Sequence, residues 1–234
     1  MKLLRLSTFI LVSGISCCYS QSTGDHTANI NWDDHIVGQK FPGFIISNNG
    51  DTVKGSVLAH YPGGLISSHQ LSCIFFKNGT DTSRVKYRPD DIRAYQIADK
   101  FYVSMNYSGG LTTKIKNFVL SAKMGGISEH IFYTAESGFV MGQQASESRT
   151  QYYNRIYTNK MVYSNSGASS YDIDQIYLAF RKRVAELVYN YPELAKKIEL
   201  KEKGYGMLNF QKIVDEYNAW FLTKKSDVTS GTNL

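Results

Sequence analysis

The fold is decided first by residues 43–57, which read Gly43-Phe44-Ile45-Ile46-Ser47-Asn48-Asn49-Gly50-Asp51-Thr52-Val53-Lys54-Gly55-Ser56-Val57. The Asn-Gly pair at the centre suits the two positive-φ positions of a type I′ turn, and β-branched and aromatic residues flank it. The stretch therefore predicts a β-hairpin with Ile46 opposite Val53 and Phe44 opposite Gly55. In that register Phe44, Ile46 and Val53 share the core face, and the Phe44 ring covers the bare backbone at Gly55.

More strands are expected after this hairpin. Residues 71–77 and 82–87 predict a second hairpin around a loop at 78–81, with Ile74 opposite Val85. A third pair, 92–97 and 101–105, surrounds Asp99-Lys100. The remaining predicted strands are 113–121, 127–134, 150–157 and 159–164, although residues 118–124 are equally compatible with a short helix.

The hydrophobic period changes after residue 170, where it becomes helical. One stripe is formed by Ile173, Ile176, Tyr177, Phe180, Val184, Leu187 and Val188. Asp172 and Gln175 have the spacing of a capping box, and Pro192 suits the first turn of a second helix. We predict helices at 172–190, 192–203 and 209–223.

Together these patterns predict an α+β protein, in which an antiparallel sheet precedes a three-helix segment. A curled or barrel-like form of this sheet is compatible with the pattern. The expected organisation is a signal peptide at 1–20, a polar linker at 21–40, a β domain at 41–165, helices at 170–223 packed on or beside it, and a flexible tail at 224–234.

The first twenty residues are typical of an export signal. Lys2 and Arg5 precede an apolar run, and Cys18-Tyr19-Ser20 before Gln21 is an acceptable cleavage site. The favoured outcome is cleavage after Ser20. Lipidation at Cys18, or less readily at Cys17, is the alternative. We therefore expect a protein of the periplasm, the outer membrane or the medium, with no transmembrane span in the mature chain.

Composition narrows the possible classes of function. The chain has 234 residues, 42% of them hydrophobic, and 26 basic against 20 acidic side chains. The three predicted helices carry equal numbers of acidic and basic residues, a solvated surface that does not indicate nucleic-acid binding. Cleavage would leave Cys73 as a single thiol, which we interpret as a small buried hydrophobe.

Several short segments resemble a family of exported proteins of unknown function found in Bacteroidetes. They are Gly43-Phe44-Ile45-Ile46, Gly50-Asp51-Thr52-Val53-Lys54-Gly55, Tyr87-Arg88-Pro89-Asp90-Asp91-Ile92, Tyr102-Val103-Ser104, Tyr191-Pro192-Glu193-Leu194 and Tyr217-Asn218. The resemblance spans most of 41–223, with 135–170 departing from it. It implies an exported, envelope-associated protein and carries over no catalytic residue.

The sequence supplies no assembled catalytic or metal-binding motif. The five histidines lack metal-ligand spacing, and His60 and His69, which could meet across a Pro-Gly-Gly segment, are expected in an exposed loop. Asp90-Asp91 after Pro89 is typical of a turn. We therefore expect no cofactor and no metal.

The abundance of tyrosine is the one chemically suggestive feature. Tyr152, Tyr153, Tyr157 and Tyr163 are candidates for a binding face, since exposed aromatic rings stack on sugars and recur at interfaces, although core positions are the simpler interpretation. The leading hypothesis is a non-catalytic envelope protein that binds or scaffolds an envelope protein or glycan. The alternatives are a hydrolase of an envelope polymer or glycan and an accessory subunit of an envelope complex.

Overall fold

The computed structural model describes residues 31–60, 66–77, 84–107, 109, 115–135, 142–165 and 170–230. Ten strands lie within these residues: β1 (Lys40–Ser47), β2 (Thr52–Leu58), β3 (Cys73–Phe76), β4 (Val85–Tyr87), β5 (Ile92–Ile97), β6 (Lys100–Asn106), β7 (Lys116–Lys123), β8 (Ile127–Thr134), β9 (Thr158–Asn165) and β10 (Ser170–Asp172). They form one open antiparallel sheet in the order β10-β9-β8-β7-β6-β5-β1-β2-β3-β4.

The helices are α1 (Ser68–Leu71), α2 (Arg149–Ile156), α3 (Ile173–Leu178), α4 (Phe180–Leu187), α5 (Pro192–Glu199) and α6 (Phe210–Ser230). A 3-10 turn at Met207–Asn209 precedes α6. Helices α3 to α6 form a layer against β8 and β9. The predicted α+β class, a sheet followed by C-terminal helices, is confirmed. The sheet extends past the predicted boundary, because β10 pairs with β9.

The first hairpin forms where predicted, but in a register shifted by one residue. Ile45 pairs with Val53 and Gly43 with Gly55, and three residues form the loop with Gly50 at φ +95°. Three-residue loops that close with a positive-φ residue are the second common type of β-hairpin loop. Because the register is shifted by one residue, Ile45 rather than Ile46 lies on the core face. The ring over Gly55 is consequently that of Phe75, 2.5 Å from where a Cβ would stand.

The register of the second hairpin also differs from the prediction by one residue, here in the opposite direction, with Cys73 opposite Tyr87 and Phe75 opposite Val85. Its predicted loop at 78–81 lies outside the described residues. The third pair is confirmed, β5 joining β6 with Ile97 opposite Lys100. The strands predicted at 113–121 and 127–134 correspond to β7 and β8, so the segment that was also compatible with a helix is a strand.

One predicted strand is wrong, since 150–157 forms α2 rather than a strand. Ser148 begins this helix with a capping box, in which its hydroxyl accepts from the Gln151 amide and the Gln151 side chain accepts from the Ser148 amide. Two otherwise unpaired backbone donors are satisfied by this exchange. The helix presents Tyr152 and Tyr153 to the interior.

The main core lies on one face of the sheet and draws on seven neighbouring strands, from β3 through β1 to β8. Residues from so many strands reach one cluster because the sheet curves around it. Gln70 of α1 connects the two ends of this curve: its side-chain amide donates to the Tyr133 carbonyl at 3.1 Å, and its carbonyl accepts from the Tyr133 amide at 2.6 Å.

Residues 31–39 form an anchored arm, in contrast to the linker expected at 21–40. Trp32 is 1% exposed, and its ring stacks on that of Tyr153 at 4.3 Å. Thr150 fixes the backbone: its hydroxyl accepts from the Trp32 amide, and its own amide donates to Asp33. The rest of the expected linker, residues 21–30, lies outside the described residues, as does the expected signal peptide.

The helical layer differs from the prediction at its start and its end. The helix expected at 172–190 is broken at Ala179, where φ is −143° and ψ is 48°, so Ile173 and Tyr177 leave the buried stripe and are exposed. The predicted capping box of Asp172 and Gln175 is confirmed. Helix α6 continues to Ser230, into the segment expected to be a tail.

Candidate functional site

A cleft of about 850 Å³ opens between the start of α4 and the chain that joins α5 to α6. One wall is residues 178–182, and the other is Ile198 together with 201–202 and 204–209. The apolar part of the lining is Leu178, Phe180, Ile198, Met207 and Leu208. This volume lies within the range of ligand pockets in proteins.

Two leucines form the lips of this cleft. Leu178 is 69% exposed and Leu208 is fully exposed, although both are among the largest aliphatic side chains. Single exposed leucines are common, but two beside one concave apolar surface are typical of an interaction site. Covering them with a partner would remove their apolar area from water.

Each wall of the cleft begins where a helix ends. The break at Ala179 ends α3 and turns Leu178 outward from the helical layer. On the other side, the amides of Lys201 and Glu202 donate to the carbonyls of Ile198 and Lys197, at 3.2 and 3.0 Å. This pair of bonds is the Schellman motif, which ends a helix sharply.

Lys201 occupies the left-handed position of this motif, with φ at +58°. Glycine is the usual residue there, and an L side chain costs about 1 kcal/mol in this conformation. The position therefore carries a long cationic side chain at the cleft despite an energetic cost.

The cleft has a local excess of positive charge. Arg181, Lys182 and Lys201 line it and are exposed, against one carboxylate, Glu202. Among the described residues none of these three cations forms a salt bridge, whereas the nearby Lys197 does. An anionic group in the cleft would meet unpaired positive charge.

A polar network holds the wall of the cleft that contains Tyr205. The Tyr205 hydroxyl donates to Glu216 at 3.0 Å, and the Lys197 ammonium donates to Glu216 at 3.0 Å and to Tyr205 at 3.1 Å. The hydrogen bonds to Tyr205 and Glu216 raise the pKa of Lys197. Since these three side chains join α5, the connecting chain and α6, the wall is set before any ligand arrives.

Comparison with known protein families, curated proteins and solved structures found no match. The cleft is therefore interpreted from its own chemistry.

A second unusual feature is a buried polar cluster at the anchored arm, which comprises Trp32, His35, His60, His69, Lys100 and Tyr102. The rings of His35 and His69 both contact Trp32, at centroid distances of 5.5 and 5.8 Å. His60 and His69, expected in an exposed loop, instead meet at 5.0 Å, and the His60 amide donates to the imidazole of His69.

Burial governs the protonation of this cluster. It lowers the pKa of His35 and of His60 to about 4 in each case, with neighbouring cations adding to the effect, and it holds the pKa of His69 well below its usual range. Burial also lowers the pKa of Lys100, while Asp99 opposes this shift. The cluster lies inside the protein and makes its stability depend on pH, rather than offering a surface to a ligand.

The four tyrosines proposed as a binding face are all buried, and two of them, Tyr152 and Tyr153, belong to α2. Tyr153 and Tyr157 belong to the main core, Tyr163 packs edge-on against Phe210 in the helical layer, and Tyr152 carries Arg155 over its ring. The structure thus divides them among different environments and does not present them as one exposed platform.

The cysteines and the expected absence of a metal are the remaining predictions from the sequence. Cys73 is buried, and burial raises the pKa of its thiol, as expected of a core residue. Cys17 and Cys18 lie outside the described residues. Within the part of the chain that the structure describes, no three metal-ligating side chains cluster, and no helix has both the length and the apolar character to cross a membrane.

Sequence analysis missed the cleft. Leu178 and Leu208 lie outside the predicted hydrophobic stripes, and both are exposed. Leucines on the polar side of an amphipathic pattern are the one signal that could have indicated an interaction surface.

Proposed function

We propose that this protein is an exported component of the cell envelope that binds or scaffolds a partner without catalysing a reaction, and that the cleft between α4 and the α5–α6 connection is its binding surface. The observation that carries the proposal is the cleft itself, which combines an apolar lining, exposed leucine lips and unpaired cations. A desolvated apolar centre with charged groups at its edge is the usual anatomy of a protein interface.

The chemistry of the lining supports binding better than hydrolysis. A glycosidase places two carboxyl groups across the bond that it cleaves. Glu202 is the single carboxylate among the residues that line the cleft, and the other charged side chains there are cations. Cations beside apolar residues orient and hold an anionic partner.

The export part of the proposal rests on residues 1–20, with the resemblance to exported Bacteroidetes proteins in support. Intact mass and N-terminal sequencing of the protein from its native host test it. We expect a chain that begins at Gln21 without added mass. A chain that begins at Cys18 or Cys17 with a diacylglycerol adduct would keep export but replace secretion by lipid anchoring, and retention of Met1 in a cytosolic fraction would overturn export.

The binding part is tested by photo-crosslinking in the native host. A photoreactive amino acid replaces Leu208 in the full chain, and a matched variant carries it in place of Leu222, which is half exposed on α6 and does not line the cleft. Twelve residues of helix separate Leu222 from the start of α6, about 18 Å along the axis. We expect one discrete adduct from position 208 and none of comparable yield from position 222.

The adduct should also respond to the cations of the cleft. Reversing the charge of Arg181 and Lys182 in the crosslinking variant is expected to reduce its yield severalfold. Equal adducts at positions 208 and 222, or no adduct at 208 in cells, would refute the cleft as the binding surface.

A further inference from the structure

We propose that the occupant of the cleft is an acidic segment of a partner protein, whose apolar side chains enter between the leucine lips while its carboxylates meet Arg181, Lys182 and Lys201. This inference rests on the proposed function and adds to it the chemical class of the partner.

The first reason is the group of three cations that the fold places around one apolar recess. Among the other cations between residues 170 and 223, Arg183 pairs with Glu186 and Lys197 pairs with Glu216, while Lys196, Lys203 and Lys212 form no salt bridge with a described residue. At the cleft, the described residues offer no salt bridge to any of the three cations. A partner that brings carboxylates supplies the missing counter-charge, and the charges need not be desolvated because they lie at the rim.

The second reason is the backbone at Lys201. This lysine stands in a left-handed conformation, with φ at +58°, where glycine would be relaxed. The Schellman hydrogen bonds that end α5 are backbone bonds and would form equally well with glycine. The lysine side chain is thus dispensable for ending the helix. What lysine adds over glycine at this position is a positive charge at the cleft.

The third reason is the shape of the surface. A volume of about 850 Å³ accommodates a few side chains rather than the face of a whole domain. The recess is apolar at Phe180, Ile198 and Met207, so the occupant must bring apolar groups as well as charge. A segment in which leucine-like and acidic side chains alternate along one helix or extended strand fits both demands.

A protein segment is favoured over an anionic lipid surface. A bilayer is attracted by a clear excess of positive charge over a broad face. The helices between 170 and 223 carry eight acidic and eight basic residues, and Glu202 lies in the cleft itself. The excess of positive charge is confined to a concave surface, which suits one segment of a partner protein better than a flat bilayer.

The experiment measures binding of a synthetic probe to the full chain by fluorescence anisotropy. The probe is a labelled amphipathic peptide with leucines on one side and glutamates on the other, and its control has glutamine in place of every glutamate. We expect the glutamate peptide to bind at least about tenfold more tightly at low salt, and added salt to remove most of this difference. Equal affinities for the two peptides would overturn the inference.

Variants at Lys201 separate binding from folding. Lys201→Gly is expected to leave the unfolding midpoint unchanged or higher, while weakening the glutamate peptide about threefold, the effect of one exposed charge pair. Lys201→Glu should weaken it more. Lys54→Glu, a matched charge reversal at an exposed position on β2, should leave the affinity unchanged. Loss of binding in the Lys54 variant, or none in either Lys201 variant, would contradict the assignment.

The remaining outcomes distinguish this inference from the proposed function. Vesicles of phosphatidylcholine with phosphatidylglycerol are a second probe, and binding to them that exceeds binding to the peptide would replace the acidic segment by a lipid surface. If the Leu208 adduct in cells is a lipid, or a protein segment that lacks acidic residues, the cleft stands as the binding surface while this inference fails. If position 208 yields no adduct, both fail.

Discussion

Replacing Trp32 by alanine is expected to lower the free energy of unfolding by about 3–5 kcal/mol, the usual cost of emptying a buried tryptophan site. The indole is 1% exposed and touches four other rings: it stacks on Tyr153 and His69 and meets His35 and Tyr133 edge-on. The backbone bonds between Thr150 and the arm persist in the variant, which is why the loss should not exceed this range.

Urea denaturation followed by circular dichroism measures this loss. Trp32→Phe keeps an aromatic ring in the site and should lose clearly less than Trp32→Ala. Leu222→Ala, at a half-exposed position, should lose less than about 1 kcal/mol. A loss below about 1 kcal/mol for Trp32→Ala would show that the arm is not anchored and that the expectation of a loose linker was right.

Three further perturbations test other contacts of the fold. Gly126→Ala would place a Cβ only 2.6 Å from a phenylalanine ring of α6, so we expect it to lose about 1–3 kcal/mol of stability in urea denaturation. Gly142→Ala is the control and should lose none, because no atom lies within 4 Å of its added Cβ. Equal stability of the two variants would contradict this packing. Gln70→Ala leaves two buried backbone groups of Tyr133 unpaired, so we expect a loss of about 2 kcal/mol and a fall in melting temperature of about 4–8 °C. An unchanged melting temperature would show that the two hydrogen bonds between Gln70 and Tyr133 do not stabilise the fold. Burial lowers the pKa of His130 from 6.5 to about 4, so the unfolded chain takes up this proton at a higher pH than the folded chain does. Acid should therefore remove about 3 kcal/mol of stability between pH 6.5 and pH 4, with little effect above pH 7. His130→Asn should show a shallower fall than the parent chain over this interval, and parallel pH profiles would exclude the contribution.

The sequence predicts most of the secondary structure because local signals dominate it. The capping box of Asp172 and Gln175, the proline at the start of α5 and the alternating strands from 92 to 134 are each fixed within a few residues. The register of the hairpins is less local. Two- and three-residue turns both accommodate the Asn-Gly pair, and the choice depends on which residues the rest of the sheet buries.

The strand predicted at 150–157 shows how one strong cue can mask another. Closely spaced tyrosines favour a strand, yet Ser148 and Gln151 supply a capping box in the same segment. A helix satisfies the cap and still buries Tyr152 and Tyr153. The cap was readable from the sequence and should have outweighed the propensity.

The candidate site was less predictable than the fold. The cleft depends on the break at Ala179, which no glycine or proline announces, and on the approach of Leu178 to a loop thirty residues away. The anchored arm was equally hard to predict, because Trp32 packs against Tyr153 of α2, more than one hundred residues later in the chain. Such contacts are set by tertiary packing, and a pattern read along one chain does not contain them.

If the cleft is occupied in the cell, its lysines are shielded there, and lysine footprinting tests this without altering the chain. An amine-reactive reagent is applied to the purified protein and to the intact native envelope, and modification of each lysine is read by mass spectrometry. Lys54, exposed on β2, serves as the internal reference. We predict that Lys182 and Lys201 are several times less reactive in the envelope than in the purified protein, while Lys54 is unchanged. Equal reactivity of all three lysines in both samples would contradict occupancy of the cleft.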